Sequence, residues 1–115
     1  MDTIYPGNIE QMLMQGKERL AEANEELKRI GFLYASKRGT FKEKYSVKCV
    51  KYLSEGISGN KADILATGDL SVEKGQYERL KVEFDTQGRI CKNISTQINS
   101  LQSILASLNK EKDYV

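Results

Sequence analysis

The sequence contains no histidine and no tryptophan, a single proline at Pro6, and only two cysteines. Without histidine, the chain lacks the commonest general base, the commonest transition-metal ligand and the usual pH switch near neutrality. One proline in 115 residues, of which 30% are charged, disfavours a β-sandwich with many turns and favours long solvated helices. We therefore expect an all-α protein that needs no cofactor.

Long apolar runs are also absent. No stretch approaches the roughly 18 apolar residues that cross a bilayer, and the N-terminus lacks the basic and apolar regions of a secretion signal. We therefore expect a cytoplasmic protein without membrane contact. Cys49 and Cys91 form no CxxC motif, so we expect two reduced thiols in that compartment.

The length allows one domain, over residues 1–115, and apolar periodicity divides it into three helices. We predict helices over about residues 8–54, 61–67 and 72–110. In the two long segments, apolar side chains recur at alternating steps of three and four, as on one stripe of a helix. The third segment holds the most regular stripe, in which Gln87 is the one polar member. The stripe consists of Tyr77, Leu80, Phe84, Gln87, Cys91, Ile94, Ile98, Leu101, Leu105 and Leu108.

The predicted helix ends rest on capping residues. Asn, Asp and Ser accept hydrogen bonds from the free N–H groups at a helix start, and Gly suits the position after a helix end. Two glycines in four residues, Gly56 and Gly59, mark the main break. The predicted caps are Asn8 with Gln11, Asn60 with Asp63, Gly68, and Asp69 or Ser71.

Two long helices joined by a short helical linker predict a long antiparallel helical hairpin that resembles a coiled coil. If the chain folds back near residue 63, Gly39 lies near Gly88, and Phe41 lies near Phe84 or Asp85. A single seam leaves much of each stripe exposed. We therefore expect self-association into a bundle, most simply as a two-fold dimer with four helices, or as a higher oligomer.

Residues 37–53, KRGTFKEKYSVKCVKYL, hold most of the local positive charge. Six of these seventeen residues are Lys or Arg, and only Glu43 is acidic. Basic side chains neutralise phosphates, and aromatic side chains such as Phe41 and Tyr45 can stack on unpaired bases. The segment is therefore the candidate site for single-stranded DNA or an acidic partner protein, through Lys37, Arg38, Lys42, Lys44, Lys48 and Lys51.

Two other interpretations of this segment stay open. Residues 32–53 can form a β-hairpin that turns at Gly39 and Thr40, although neither face of that alternation is cleanly apolar. The lysines also fit the solvated back of a long helix, with Phe41 and Tyr45 in its core.

Catalytic and metal-binding patterns are not found. Glu22, Glu25 and Glu26 lie at helical spacing, but histidine ligands to complete a metal site are absent. Cys49 has no histidine to activate it as a nucleophile. We therefore expect a protein that is not an enzyme.

The stretch EGISGNKADILATGD (55–69), followed by a helix that ends ISTQINSLQSILASL (94–108), resembles a pattern in small helical proteins encoded by bacteriophages. The resemblance implies a phage or prophage origin and a non-enzymatic accessory role near single-strand annealing or replication functions. One expectation is an accessory to phage DNA metabolism, which contacts single-stranded DNA or a DNA-bound protein through the basic residues. The alternative is a stoichiometric inhibitor or adaptor that binds a host protein by helix packing. The lysines would then lie at the edge of the interface and speed association by electrostatic attraction.

Overall fold

The computed structural model describes residues 5–113, and in this range the chain forms three helices and no strand. Helix α1 runs from Pro6 to Ser54, α2 from Gly59 to Asp69, and α3 from Ser71 to Asp113. The all-α prediction is confirmed, with ends that differ by up to three residues from those expected. Residues 32–53 lie inside α1, so the alternative of a β-hairpin is wrong.

Helix α1 begins at Pro6, a residue whose fixed φ and missing N–H suit the first helical position. The carbonyl of Tyr5 accepts hydrogen bonds from the backbone N–H groups of Asn8 (3.1 Å) and Ile9 (3.4 Å). Asn8 therefore lies within the first turn, and its prediction as the N-cap is wrong. The backbone carbonyl of Tyr5 and the fixed φ of Pro6 therefore stabilise the first turn, a role that the prediction gave to the side chain of Asn8.

The break between α1 and α2 is a glycine-dependent C-cap. Gly56 has a φ of +83°, a left-handed conformation that costs little without a Cβ. Its N–H bonds to the carbonyl of Leu53, and the N–H of Ile57 bonds to that of Tyr52, both at 3.1 Å. These two bonds form a Schellman motif, which satisfies carbonyls that the helix end leaves free.

Ser58 is the N-cap of α2, and its side chain accepts a hydrogen bond from the N–H of Lys61 at 3.4 Å. The prediction of Asn60 as the cap is wrong by two residues, because Ser58 competes for the same role and lies nearer the turn. Gly68 is likewise inside α2, which continues to Asp69 and ends at Leu70.

Contacts divide the chain into two compact units. Unit 1 comprises the chain up to Leu27 and from Thr86 onward, and unit 2 comprises Lys28–Asp85. In unit 1, α1 and α3 run antiparallel, since Gly16 lies against Ile98 while Gln87 bonds to Ala23. Their facing stripes bury a core, which half-buried leucines flank. The core consists of Ile9, Leu13, Ala23, Cys91, Ile94 and Ile98.

Unit 2 pairs α1 with α3 in the same antiparallel sense. Gly31 lies against Phe84, and the rings of Phe41 and Tyr77 are 5.0 Å apart. Helix α2 packs in this unit through two small side chains, Ala62 and Ala66, which are fully buried. The helical-hairpin prediction is thus confirmed by the antiparallel pairing within each unit.

The predicted register of the hairpin is wrong. Phe41 meets Tyr77 rather than Phe84 or Asp85, and side chains built on Gly39 or Gly88 would meet nothing within 4 Å. The contacting pairs Gly16–Ile98 and Phe41–Tyr77 are symmetric about residues 57 and 59, not 63. The reason is that the chain reverses direction at Gly56, before α2 begins. Helix α2 therefore already packs beside α1, whereas the predicted register placed the midpoint of the reversal within α2.

None of the helices within residues 5–113 has a stretch long and apolar enough to cross a membrane. Both cysteines are free thiols. Cys91 is buried in the core of unit 1, whereas Cys49 is half-buried in unit 2.

Candidate functional site

Helix α1 divides the six predicted site residues between two rows. Successive residues turn by about 100° around a helix, so spacings of seven, four and three bring four of them onto one side. We call Lys37, Lys44, Lys48 and Lys51 the lysine row. Arg38 and Lys42, four residues apart, lie on the other side of the aromatic stripe, about 100° or more away from the lysine row. The structure therefore does not bring the six together on one face.

Two members of the lysine row lie near carboxylates of α2 and α3. The ammonium of Lys44 is 4.0 Å from a carboxylate oxygen of Glu73. That of Lys48 is 3.7 Å from Asp69. Both pairs are partly exposed, so each contributes little to stability. They nevertheless reduce the positive field that these two lysines offer to an anionic partner.

The remaining four basic residues keep their charge available. Lys37, Arg38, Lys42 and Lys51 are exposed, and none has an acidic partner among residues 5–113. They lie on two different rows, so they can meet a broad or flexible anionic surface more readily than a single phosphate backbone.

The aromatic residues of the segment pack against one another instead of facing outward as a platform. Phe41 stacks on Tyr45 with ring centroids 6.0 Å apart, and also meets Tyr77. The ring centroid of Tyr34 is 6.4 Å from that of Tyr77 and also 6.4 Å from that of Phe84. These rings are half-buried between α1 and α3. The face that stacking on unpaired bases requires is thus largely occupied by neighbouring rings.

Two tyrosines of α1 hold α2 by their hydroxyl groups. Tyr45 donates a hydrogen bond to the carboxylate of Asp63, and Tyr52 donates one to Asp69. Asp63 and Asp69 were predicted as helix caps, and that prediction is wrong, because their side chains point to tyrosines rather than to free N–H groups. The hydrogen bond to Asp63 raises the pKa of Tyr45, and that to Asp69 raises the pKa of Tyr52.

An open apolar groove in unit 1 was not anticipated from the sequence. It lies between α1 and α3, has a volume of about 390 Å³, and carries Arg19 and glutamines at its rim. Its apolar lining consists of Met12, Gly16, Ile94, Ile98 and Leu101. One sequence signal was present, because Met12 is an apolar residue that lies beside the apolar stripe of α1.

A smaller hollow of about 320 Å³ lies in unit 2, where Val47 and Leu70 are bordered by Lys44 and Lys48. No group of three potential metal ligands occurs within residues 5–113. The surface features of the described chain are therefore grooves, exposed apolar side chains and two basic rows. Comparisons with protein-family models, with curated proteins and with solved structures find no match for this chain.

Proposed function

We propose that this chain is a non-enzymatic binding protein that holds a partner protein against its helical surfaces. The observation that supports this most is the apolar groove of unit 1, which leaves Met12 half exposed beside a lining of Ile94, Ile98 and Leu101. Large exposed apolar side chains are most informative where they surround a concave surface. An amphipathic helix of a partner protein would lay its apolar side chains into such a groove.

The rim of the groove gives the partner a polar contact as well. Arg19 borders the groove and has no acidic partner among residues 5–113. A guanidinium beside an apolar floor suits a carboxylate next to an apolar side chain. The basic residues of unit 2 would steer such an acidic partner and affect mainly the association rate.

A photo-crosslinking experiment tests the groove with a matched control. Met12 lines the groove, whereas Met14 is also exposed but lies about 200° around α1. We would replace each in turn with p-benzoylphenylalanine and irradiate the protein in an extract of the cells that encode it. We expect one discrete protein adduct at position 12 and none at position 14.

Competition completes this experiment. Excess unlabelled wild-type protein should abolish the adduct, whereas the Met12→Glu variant should compete at least tenfold less well because a charge enters the apolar lining. Equal, diffuse adducts at positions 12 and 14, or equal competition by both proteins, would contradict the proposal.

A second candidate is the DNA-related accessory role that the phage resemblance implies. It is favoured by four exposed basic residues that have no acidic partner among residues 5–113 and can approach phosphates. They are Lys37, Arg38, Lys42 and Lys51. The two candidates differ in the effect of charge reversal. Changing Lys37, Arg38 and Lys42 to Glu should abolish DNA binding, but should mainly slow association with a protein that is held by apolar packing.

A further inference from the structure

Helix α2 places its large and small apolar side chains on the opposite sides from those expected of a surface helix. The side chains it buries are Ala62 and Ala66. Its two largest apolar side chains are turned to solvent, with Ile64 69% and Leu65 40% exposed. A helix of a folded domain normally buries its large apolar residues. The exposed face of α2 is therefore available for another molecule.

This outer face comprises Lys61, Ile64, Leu65 and Gly68, at the spacing i, i+3, i+4 and i+7 that defines one side of a helix. Space around Gly68 is open, since a Cβ built there would meet nothing within 4 Å. The hydrogen bonds from Tyr45 and Tyr52 to Asp63 and Asp69, which flank the buried alanines of α2, hold this helix to α1. The outer face is thus presented on an anchored element.

The outer face is complementary to itself when a second copy is placed antiparallel on it. About a two-fold axis between positions 64 and 65, Ile64 meets Leu65 of the second copy, and Lys61 meets Gly68. A two-fold contact requires this kind of self-complementary patch. The missing side chain at Gly68 allows the long stem of the second copy's lysine to lie against the helix.

Charge favours the same arrangement. The first turn of α2 contains Lys61 and no acidic residue, although a positive charge is unfavourable at the positive end of its own helix dipole. In the antiparallel contact, Lys61 lies over the negative C-terminal end of the second copy's α2. A cation is favourable at that end.

We infer that the outer face of α2 is a homodimer contact, in which the α2 helices of two copies pack antiparallel about a two-fold axis. Two large apolar side chains per copy make a small interface, below the roughly 1,200 Å² of stable complexes. The dimer is therefore a weak one, with a dissociation constant on the order of 10–100 μM, or about 6 kcal/mol.

Sedimentation velocity over a concentration series tests the contact. We expect the wild-type protein to shift from monomer to dimer across this range, and Ile64→Asp to weaken the dimer at least tenfold. Val82 is the matched control, because its exposure of 63% is close to the 69% of Ile64 but it lies on α3, so Val82→Asp should dimerise like wild type. A monomer at all concentrations, or a dimer that Ile64→Asp leaves unchanged, would overturn the inference.

A disulfide experiment tests the register without relying on an apolar substitution. Under mild oxidation, an equal mixture of Lys61→Cys and Gly68→Cys proteins should form mainly the mixed dimer, and mass spectrometry of its tryptic peptides should join position 61 to position 68. Like-with-like disulfides in equal yield would overturn the antiparallel contact. The Met12→Glu variant should dimerise normally, so failure of this inference and failure of the groove proposal are separate results.

Discussion

The aromatic ring of Phe84 on α3 lies against the backbone of Gly31 on α1, so closely that a Cβ at Gly31 would be 2.9 Å from the ring's Cε2. Real Cβ atoms do not approach a ring carbon to that distance. The absence of a side chain at Gly31 therefore sets the separation of the two helices in unit 2. Phe84 is fixed further by its stacking on Tyr34, so the ring cannot easily move away.

Gly31→Ala is expected to lower the free energy of unfolding by about 1–3 kcal/mol, because the new methyl group overpacks the contact with Phe84. Alanine's better helix propensity, worth about 1 kcal/mol, offsets part of this cost. Gly39 lies on the same helix with open space around it, so Gly39→Ala should be stabilising by about 1 kcal/mol. Urea denaturation followed by circular dichroism measures both. Equal stabilisation by the two substitutions would show that the Phe84 contact is loose.

Gln87 is the polar member of the α3 stripe, and its side-chain amide donates a hydrogen bond to the carbonyl of Ala23 at 3.1 Å. That carbonyl lies inside α1 and also accepts a bond from its own helix. Gln87→Leu therefore leaves no buried acceptor unpaired and adds apolar burial. We expect stability to rise by about 0.5–1 kcal/mol. A loss of stability in thermal denaturation would mean that the cross-helix bond contributes more than the apolar replacement.

The hydroxyl groups of Tyr45 and Tyr52 should control the opening of α2, because the helix buries only two alanines of its own. Replacing both tyrosines with Phe removes the two bonds and keeps the rings. Hydrogen exchange should then become faster at the amides of α2, with little change in unit 1. Tyr77→Phe is the control, since the Tyr77 hydroxyl has no hydrogen bond within residues 5–113. Unchanged exchange in the double variant would show that the alanines alone hold α2.

The same two tyrosines predict a loss of stability in alkali. Their pKa values are raised in the folded protein by hydrogen bonds to Asp63 and Asp69. A raised folded pKa means that their contribution is complete below the ordinary tyrosine pKa of about 10. It declines as pH rises from there through the folded value.

Urea midpoints of wild type and of the Tyr45→Phe, Tyr52→Phe double variant should therefore differ by a constant amount below about pH 9 and converge above about pH 10. Comparing the two proteins cancels the titration of the lysines. A difference that grows with pH would contradict the assignment.

The long helices could be predicted from the sequence because their apolar stripes extend over many turns. The stripe from Tyr77 to Leu108 includes the buried Cys91, Ile94 and Ile98 of the unit 1 core. The position of the reversal could not be predicted in the same way. Helix α2 is held on α1 by alanines and tyrosine–aspartate bonds, which leave no apolar periodicity to read.

The error in register carried over to the candidate site. Whether Lys44 and Lys48 are paired depends on which carboxylates lie opposite them, and Glu73 and Asp69 reach them only when the chain reverses near Gly56. Phe41 and Tyr45 are half-buried, as the alternative that placed them in the core of a long helix expected. The groove beside Met12 was missed because it requires two helices at a known separation, which Gly16 and its contact with Ile98 determine.

A salt-dependent binding titration tests most directly the claim that the basic residues of α1 do not form a nucleic-acid face. Fluorescence anisotropy of a labelled single-stranded oligonucleotide would be measured at several salt concentrations with three proteins. The first is the wild type, and the second carries Lys37→Glu, Arg38→Glu and Lys42→Glu together. The third is a control in which Lys17, Lys81 and Lys92 are changed to Glu, so that its net charge changes by the same amount.

The account predicts weak binding with a salt dependence of no more than about two phosphate contacts, reduced equally by the two triple variants. A steep salt dependence that corresponds to several contacts, and that is lost only in the Lys37, Arg38 and Lys42 variant, would contradict the account and establish a nucleic-acid face on α1.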